Sequence, residues 1–183
     1  DGFGAQYLSV MSGIAFCKAN AIKYNYVHTP FKSIAHSSGK EESLNNFIGI
    51  PNTLYNKNNE QINITVPFSG NVHWANKHVI SKIYYNDDTV ELLRKYYYSS
   101  PKPDIKNVDI AIHIRRGDVG IGFGDRYTSN SDYNKIIKFL NMKYPNYKIV
   151  IFSEGKIDDF EEINGNNISF RLNECIEETF HSF

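Results

Sequence analysis

From residue 104 onward the chain alternates short apolar runs with segments of helical period, which leaves few folds open to it. The runs are VDIAIHI (residues 108–114), YKIVIF (147–152) and ISFRL (168–172). Between them stand a glycine-rich loop at 117–124, a helical segment at 131–144 and a second helical stretch at 156–163, and a last helix is expected from Asn173. A continuous apolar run of this length suits a strand covered on both faces, and parallel neighbours are joined by a crossover rather than a tight hairpin. The pattern predicts an α/β chain with Rossmann-like parallel sheets.

The first hundred residues are less regular. Gly2 and Gly4 form a glycine turn ahead of a helix in which Leu8, Met11, Ile14, Ala15 and Lys18 recur at helical spacing. Strands are expected at 24–29 (YNYVHT), stopped by Pro30, and at 61–66 (QINITV), before Pro67, with a polar loop at 52–60. A helix over Glu41–Ile48 ends at Gly49 and Pro51, and Asn86 with Asp87 caps a helix running through DTVELLRKYYY. The stretch Ser99-Ser100-Pro101-Lys102-Pro103 reads as a linker. It divides the 183 residues into lobes at 1–100 and 104–183.

Twenty Lys+Arg balance 20 Asp+Glu, so no net field draws the chain to nucleic acid or to an anionic membrane. Any polyanion must be held locally. With 41% hydrophobic residues the chain can fill a core, and no apolar run approaches the roughly 18 residues that span a bilayer. Cys17 and Cys175 are too few for a disulfide scaffold or a four-cysteine zinc site, and both read as buried thiols. Asp87-Asp88 reads as a helix cap, and His28, His36, His73, His78 and His181 show no ligand spacing, so no metal site is expected.

The chemistry concentrates in His113-Ile114-Arg115-Arg116-Gly117-Asp118, where the first apolar run gives way to the glycine-rich loop. In an open α/β sheet, ligands bind beyond the carboxyl ends of the strands, and strand alternation puts His113 and Arg115 on one face with Ile112 and Ile114 on the other. The arginines present planar charged forks that fit phosphate oxygens in pairs, His113 can donate a hydrogen bond to the same anion or to a leaving group, and Asp118 can orient one arginine. A diphosphate suits this set. Surface ion pairs with Asp104, Asp109 or Asp125 are the structural alternative for the same arginines. Gly2 and Gly4 make either a second anion-holding turn or a tight packing turn. Ser153 and Glu154 end the run YKIVIF at the same rim as His113, as ligand contacts or as a helix cap. Glu174, Glu177 and Glu178 suit a solvated helix face. Arg116-Gly117-Asp118 also spells an adhesion tripeptide, but such recognition needs a loop tip and here an apolar strand leads straight into it.

HIRRGD matches a His-x-Arg-Arg-x-Asp signature in full, and on it the chain resembles the fucosyltransferases of the α1,2-, α1,6- and protein-O-fucosyl type. GFGAQYLSVMSGIAF is similar to that family's amino-terminal glycine loop and first helix, RYTSNSDYNKIIKFLNMKYPNYKIVIFSEG to its strand-helix-strand after the signature, and ECIEETFHSF to the helix before its Ser-rich segment. The resemblance implies a GT-B-like enzyme that transfers fucose from GDP-fucose to a glycan or glycoconjugate hydroxyl, with inversion and without a required metal or other cofactor. Residues 1–100 would form the acceptor-side lobe and 104–183 the nucleotide-sugar lobe. Arg115 would hold the β-phosphate and His113 the donor nucleotide, with Arg116 and Asp118 in support. Gly2, Gly4, Ser153, Glu154 and Glu178 are the further donor-binding candidates, Glu178 lying where the family's guanine-reading carboxylate falls. The alternatives are a GT-B transferase using another nucleotide sugar and a non-catalytic nucleotide-sugar or glycan-binding relative.

Ile176, Phe180 and Phe183 form an apolar stripe that a further βα unit would cover, so the lobe is expected to be incomplete at Phe183. Asn63-Ile64-Thr65 and Asn167-Ile168-Ser169 are sequons that would matter in a secretory lumen, whereas the scarcity of cysteine favours a cytoplasmic bacterial or viral setting over a Golgi lumen.

Overall fold

Phe3 and Tyr7, one turn apart and stacked at 5.8 Å, anchor the first helix of the chain, α1 (Phe3–Ala19). The computed structural model describes residues 2–19, 30–35, 37–51, 81–105 and 108–183. These divide into two units, Asp1–Lys102 and Pro103–Phe183, the division falling inside the Ser/Pro stretch. The strands expected at 24–29 and 61–66, the loop at 52–60, and His28, His36, His73 and His78 lie outside the described residues.

In the first unit α1 is followed by α2 (Glu41–Ile48), α3 (Ser81–Tyr84) and α4 (Asp87–Tyr97). The helix begins at Phe3, so Gly4 lies in its first turn and only Gly2 precedes it, which corrects the expected two-glycine loop. Its buried residues include Phe3, Tyr7, Ile14, Ala15 and Cys17, while Leu8, Met11 and Lys18 are half-buried. The physical reason is an aromatic cluster that periodicity does not foresee. Phe3 meets Phe31 edge-on at 5.9 Å and Phe47 at 6.2 Å, and Phe47 in turn meets Tyr97 at 5.4 Å. Asn86 caps α4 as expected, its Oδ1 accepting from the Thr89 amide at 3.0 Å. Gly49 ends α2 with φ 66°, where a Cβ would overlap the Tyr96 carbonyl oxygen, so this C-cap takes glycine on two counts.

The second unit is built on a parallel sheet of β1 (Ile110–Ile114), β2 (Ile149–Ser153) and β3 (Ile168–Leu172), in that order across the sheet. The crossover from β1 to β2 carries a 3-10 turn (Ile121–Arg126) and α5 (Asn130–Lys143), capped by Ser129; that from β2 to β3 is a single 3-10 turn (Ile157–Phe160); and α6 (Ile176–His181) follows β3. Ile110, Ile112, Ile114, Ile149, Ile151, Ile168, Phe170 and Leu172 turn one face of the sheet to Tyr133, Ile137 and Leu140 of α5 and to Phe160 and Ile163. At about 25 cal/mol per Å² of apolar surface, this layer is the main source of the unit's stability.

Several limits differ from the periodicity. The first strand starts at Ile110 rather than residue 108, with the Asp109 carboxylate accepting from the Lys148 amide at 2.7 Å. Tyr147 stays in the turn before β2, stacked on Tyr144 at 5.1 Å. The stretch at 156–163 is helical for four residues only, because Phe160 and Ile163 are drawn into the core and the Asp159 carboxylate accepts from the Lys156 amide at 2.7 Å. Cys17 is buried, which pushes its thiol up to about 11, but Cys175 is half-buried at the N-cap of α6, a correction to its reading as a core thiol. No helix among the described residues is long and apolar enough to cross a membrane, and no group of three or more His, Cys, Asp or Glu among them could hold a metal.

Candidate functional site

β1 ends at Ile114, so Arg115 stands just past the strand instead of sharing its alternation with His113. Its guanidinium is held on one edge: Nε donates to Asp118 Oδ1 at 3.1 Å and Nη2 to Oδ2 at 2.6 Å. With the two side chains 45% and 35% exposed, this pair adds little stability. Its effect is geometric. The fork is fixed in direction, and Nη1 is left without a partner among the described residues. Asp118, first through these hydrogen bonds, also holds the Arg115 guanidinium above its ordinary pKa, so it stays charged.

Arg116 is spent differently. Nη1 donates to the Arg115 carbonyl at 2.9 Å, and Nη2 donates to the Thr128 carbonyl at 3.0 Å and to Asn130 Oδ1 at 2.7 Å. The guanidinium lies over the Tyr127 ring at 4.5 Å. Asn130 Nδ2 passes the link on to the Asp159 carbonyl at 2.6 Å. Arg116 thus ties the loop after β1 to the start of α5 and to the turn after β2. None of Asp104, Asp109 or Asp125 takes up either arginine in a described ion pair.

Ser153 is the last residue of β2, and its buried hydroxyl donates to the Ile114 carbonyl at 2.7 Å, joining the ends of β1 and β2. Its proton is thereby used within the fold rather than in capping a helix. Asn173, held at φ 58°, fastens β3 to the same rim. Its amide donates to the Ser153 carbonyl at 2.9 Å, its Oδ1 accepts from the Gly155 amide at 3.0 Å and its Nδ2 donates to the Gly155 carbonyl at 2.9 Å. Glu154, between these two anchored residues, lays its carboxylate over Gly117, which has φ 76° and where a Cβ would overlap Glu154 Oε2. The positive φ is what favours glycine there, and the missing side chain lets the Glu154 carboxylate lie close.

His113 shares one sheet face with Phe152 and Arg171, which are aligned across the strands by the register. The Phe183 ring meets its imidazole edge-on at 6.3 Å and Phe152 at 5.6 Å. Loss of water, then the Arg115 charge, lowers the His113 pKa, while Glu154 pulls it the other way. The imidazole is therefore neutral at pH 7. Because its folded-state pKa lies below that of an unfolded chain, about 6.5, its contribution to stability is fully present above that pH and is lost as pH falls through the folded value. An NMR titration is expected to place His113 below 6.5; Glu154→Gln should lower it further and Arg115→Ala should raise it.

The rim therefore presents three groups with unspent hydrogen-bonding capacity among the described residues, the His113 imidazole, Arg115 Nη1 and the Glu154 carboxylate, the last lying over Gly117. Arg116, Asp118 and Ser153 hold it in shape. Of the remaining candidates, Gly2 and Gly4 belong to the first unit and Glu178 lies in α6, where its carbonyl accepts from Ser182 Oγ at 2.7 Å. No described side-chain contact joins Glu178 to the 113–118 segment. Sequence reading passed over Asn173, Asn130 and Tyr127. Of the three, Asn173 alone carried a prior signal, the tolerance of asparagine for a positive φ. Family models, curated proteins and solved structures alike contain no match to the chain.

Proposed function

We propose that the chain is a GT-B-type glycosyltransferase that uses GDP-fucose, its second unit binding the donor and its first belonging to the acceptor side. The observation that carries this reading is Arg115, oriented by Asp118 at the carboxyl rim of a parallel sheet with one edge of its fork unspent, inside a complete His-x-Arg-Arg-x-Asp signature. In an inverting transfer the acceptor hydroxyl gives up its proton to a base and its oxygen attacks C1 of fucose as the bond to the β-phosphate oxygen breaks, and negative charge grows on the departing GDP. A preorganised guanidinium stabilises that charge more in the transition state than in the ground state. Neutral His113 adds a hydrogen bond without adding charge.

Calorimetric titration with GDP, GDP-fucose, GDP-mannose and UDP-sugars tests the donor, and release of free fucose or transfer in the same samples separates an enzyme from a binding protein. Binding of UDP-sugars in preference to GDP-fucose would overturn the assignment. Since the sequence has no Asp-x-Asp-like pair in strand context and Arg115 supplies the charge, transfer is expected to survive EDTA. Complete loss with EDTA and recovery on Mn²⁺ would assign the chain to a metal-dependent class.

A further inference from the structure

Glu154 is the acidic group left open at this rim, and its role rests on the proposed diphosphate site at Arg115 while reaching another part of the same ligand. A carboxylate beside a phosphate site repels the phosphates, so its presence calls for a portion of the ligand that donates hydrogen bonds. Three observations mark it as built into the site. Gly117 leaves it the space that a Cβ would fill. Both flanking residues are pinned, Ser153 through the Ile114 carbonyl at 2.7 Å and Gly155 through the two-way Asn173 amide at 3.0 and 2.9 Å. The carboxylate itself accepts no hydrogen bond among the described residues, and the Asn173 side-chain amide is committed to the Gly155 backbone.

We infer that Glu154 binds a vicinal diol of the nucleotide sugar, two hydroxyls on adjacent carbons each donating to one carboxylate oxygen. Such diols stand on both sides of the diphosphate, on the ribose and on the hexose. An acidic side chain at the end of the second strand of a βαβ unit takes the ribose in dinucleotide-binding folds, and Glu154 occupies that place after β2.

The test is calorimetry on the whole chain, wild type and Glu154→Gln, with GDP, 2′-deoxy-GDP, GDP-fucose and inorganic pyrophosphate. If the ribose is the diol, wild type binds 2′-deoxy-GDP on the order of tenfold or more weaker than GDP, and Glu154→Gln weakens GDP and GDP-fucose alike while ignoring the 2′-hydroxyl. If the hexose is the diol, the variant weakens GDP-fucose and leaves GDP unchanged. Pyrophosphate has no diol, and its binding at least as tightly to the variant reports an intact Arg115 site. Should the variant fail to bind pyrophosphate, wild type decides: weaker binding of 2′-deoxy-GDP than of GDP, or tighter binding of GDP-fucose than of GDP, supports the diol, and the absence of both overturns it. A bystander carboxylate gives the opposite sign: Glu154→Gln binding GDP and GDP-fucose as tightly as wild type, or more tightly through relief of repulsion, overturns the inference. ADP and UDP in the same panel keep the two readings apart. The same Glu154 dependence with ADP or UDP but not GDP removes the guanine assignment and keeps the diol, whereas binding of pyrophosphate alone removes the diol and keeps the phosphate site.

Discussion

Arg115→Ala is expected to lower fucose transfer by about 100-fold or more while leaving the circular dichroism spectrum and melting temperature of the chain unchanged. The two halves of this result have separate causes. The guanidinium is exposed and its described partner is the exposed Asp118, so truncation leaves no buried charge behind and costs the fold little. On the proposed reading its unspent edge, in contrast, is the donor offered to the departing diphosphate, and losing one preorganised donor of this kind is worth roughly 3 kcal/mol of barrier. Arg115→Lys should recover little, because an ammonium cannot use the two-pronged Asp118 contact that fixes direction. Transfer at the wild-type rate in Arg115→Ala would remove Arg115 from the mechanism.

Phe160→Ala should destabilise the second unit by about 3–5 kcal/mol, as for other fully buried aromatics. Phe160 is 1% exposed and packs on Phe170 at 5.5 Å, in the layer that joins Ile114, Ile137, Ile149 and Ile151. It is also the last residue of the 3-10 turn that connects β2 to β3, so no longer element can take over the position. In a domain of this size the change corresponds to a fall in melting temperature of roughly 15 °C or more. The site feels it through one covalent step: the neighbouring Asp159 carbonyl accepts from Asn130, which holds Arg116 at 2.7 Å. Phe139→Ala on α5, at a residue 55% exposed, is the matched control and should stay within about 0.5 kcal/mol. A loss below about 1 kcal/mol for Phe160→Ala would show that this packing layer is not what stabilises the unit.

The parts of this molecule that sequence determined by itself are those whose cause lies within a few residues. Alternation and apolar runs place β1, β2 and β3 to within two residues at each end, Gly49 ends α2, Asn86 opens α4, and Asp118 lies close enough along the chain to orient an arginine. Tertiary structure decided which polar groups remain available. Ser153 and Glu154 are adjacent and equally polar in the sequence, yet Ser153 is spent on a carbonyl 39 residues away and Glu154 is left open. Arg115 and Arg116 are likewise the same side chain in adjacent positions, and Asn130, 14 residues on, and the carbonyl of Thr128 claim the second of them. The physical reason is that a hydrogen-bonding group has a fixed number of donors and acceptors, and whether folding consumes them depends on partners that only the packed chain brings within about 3 Å.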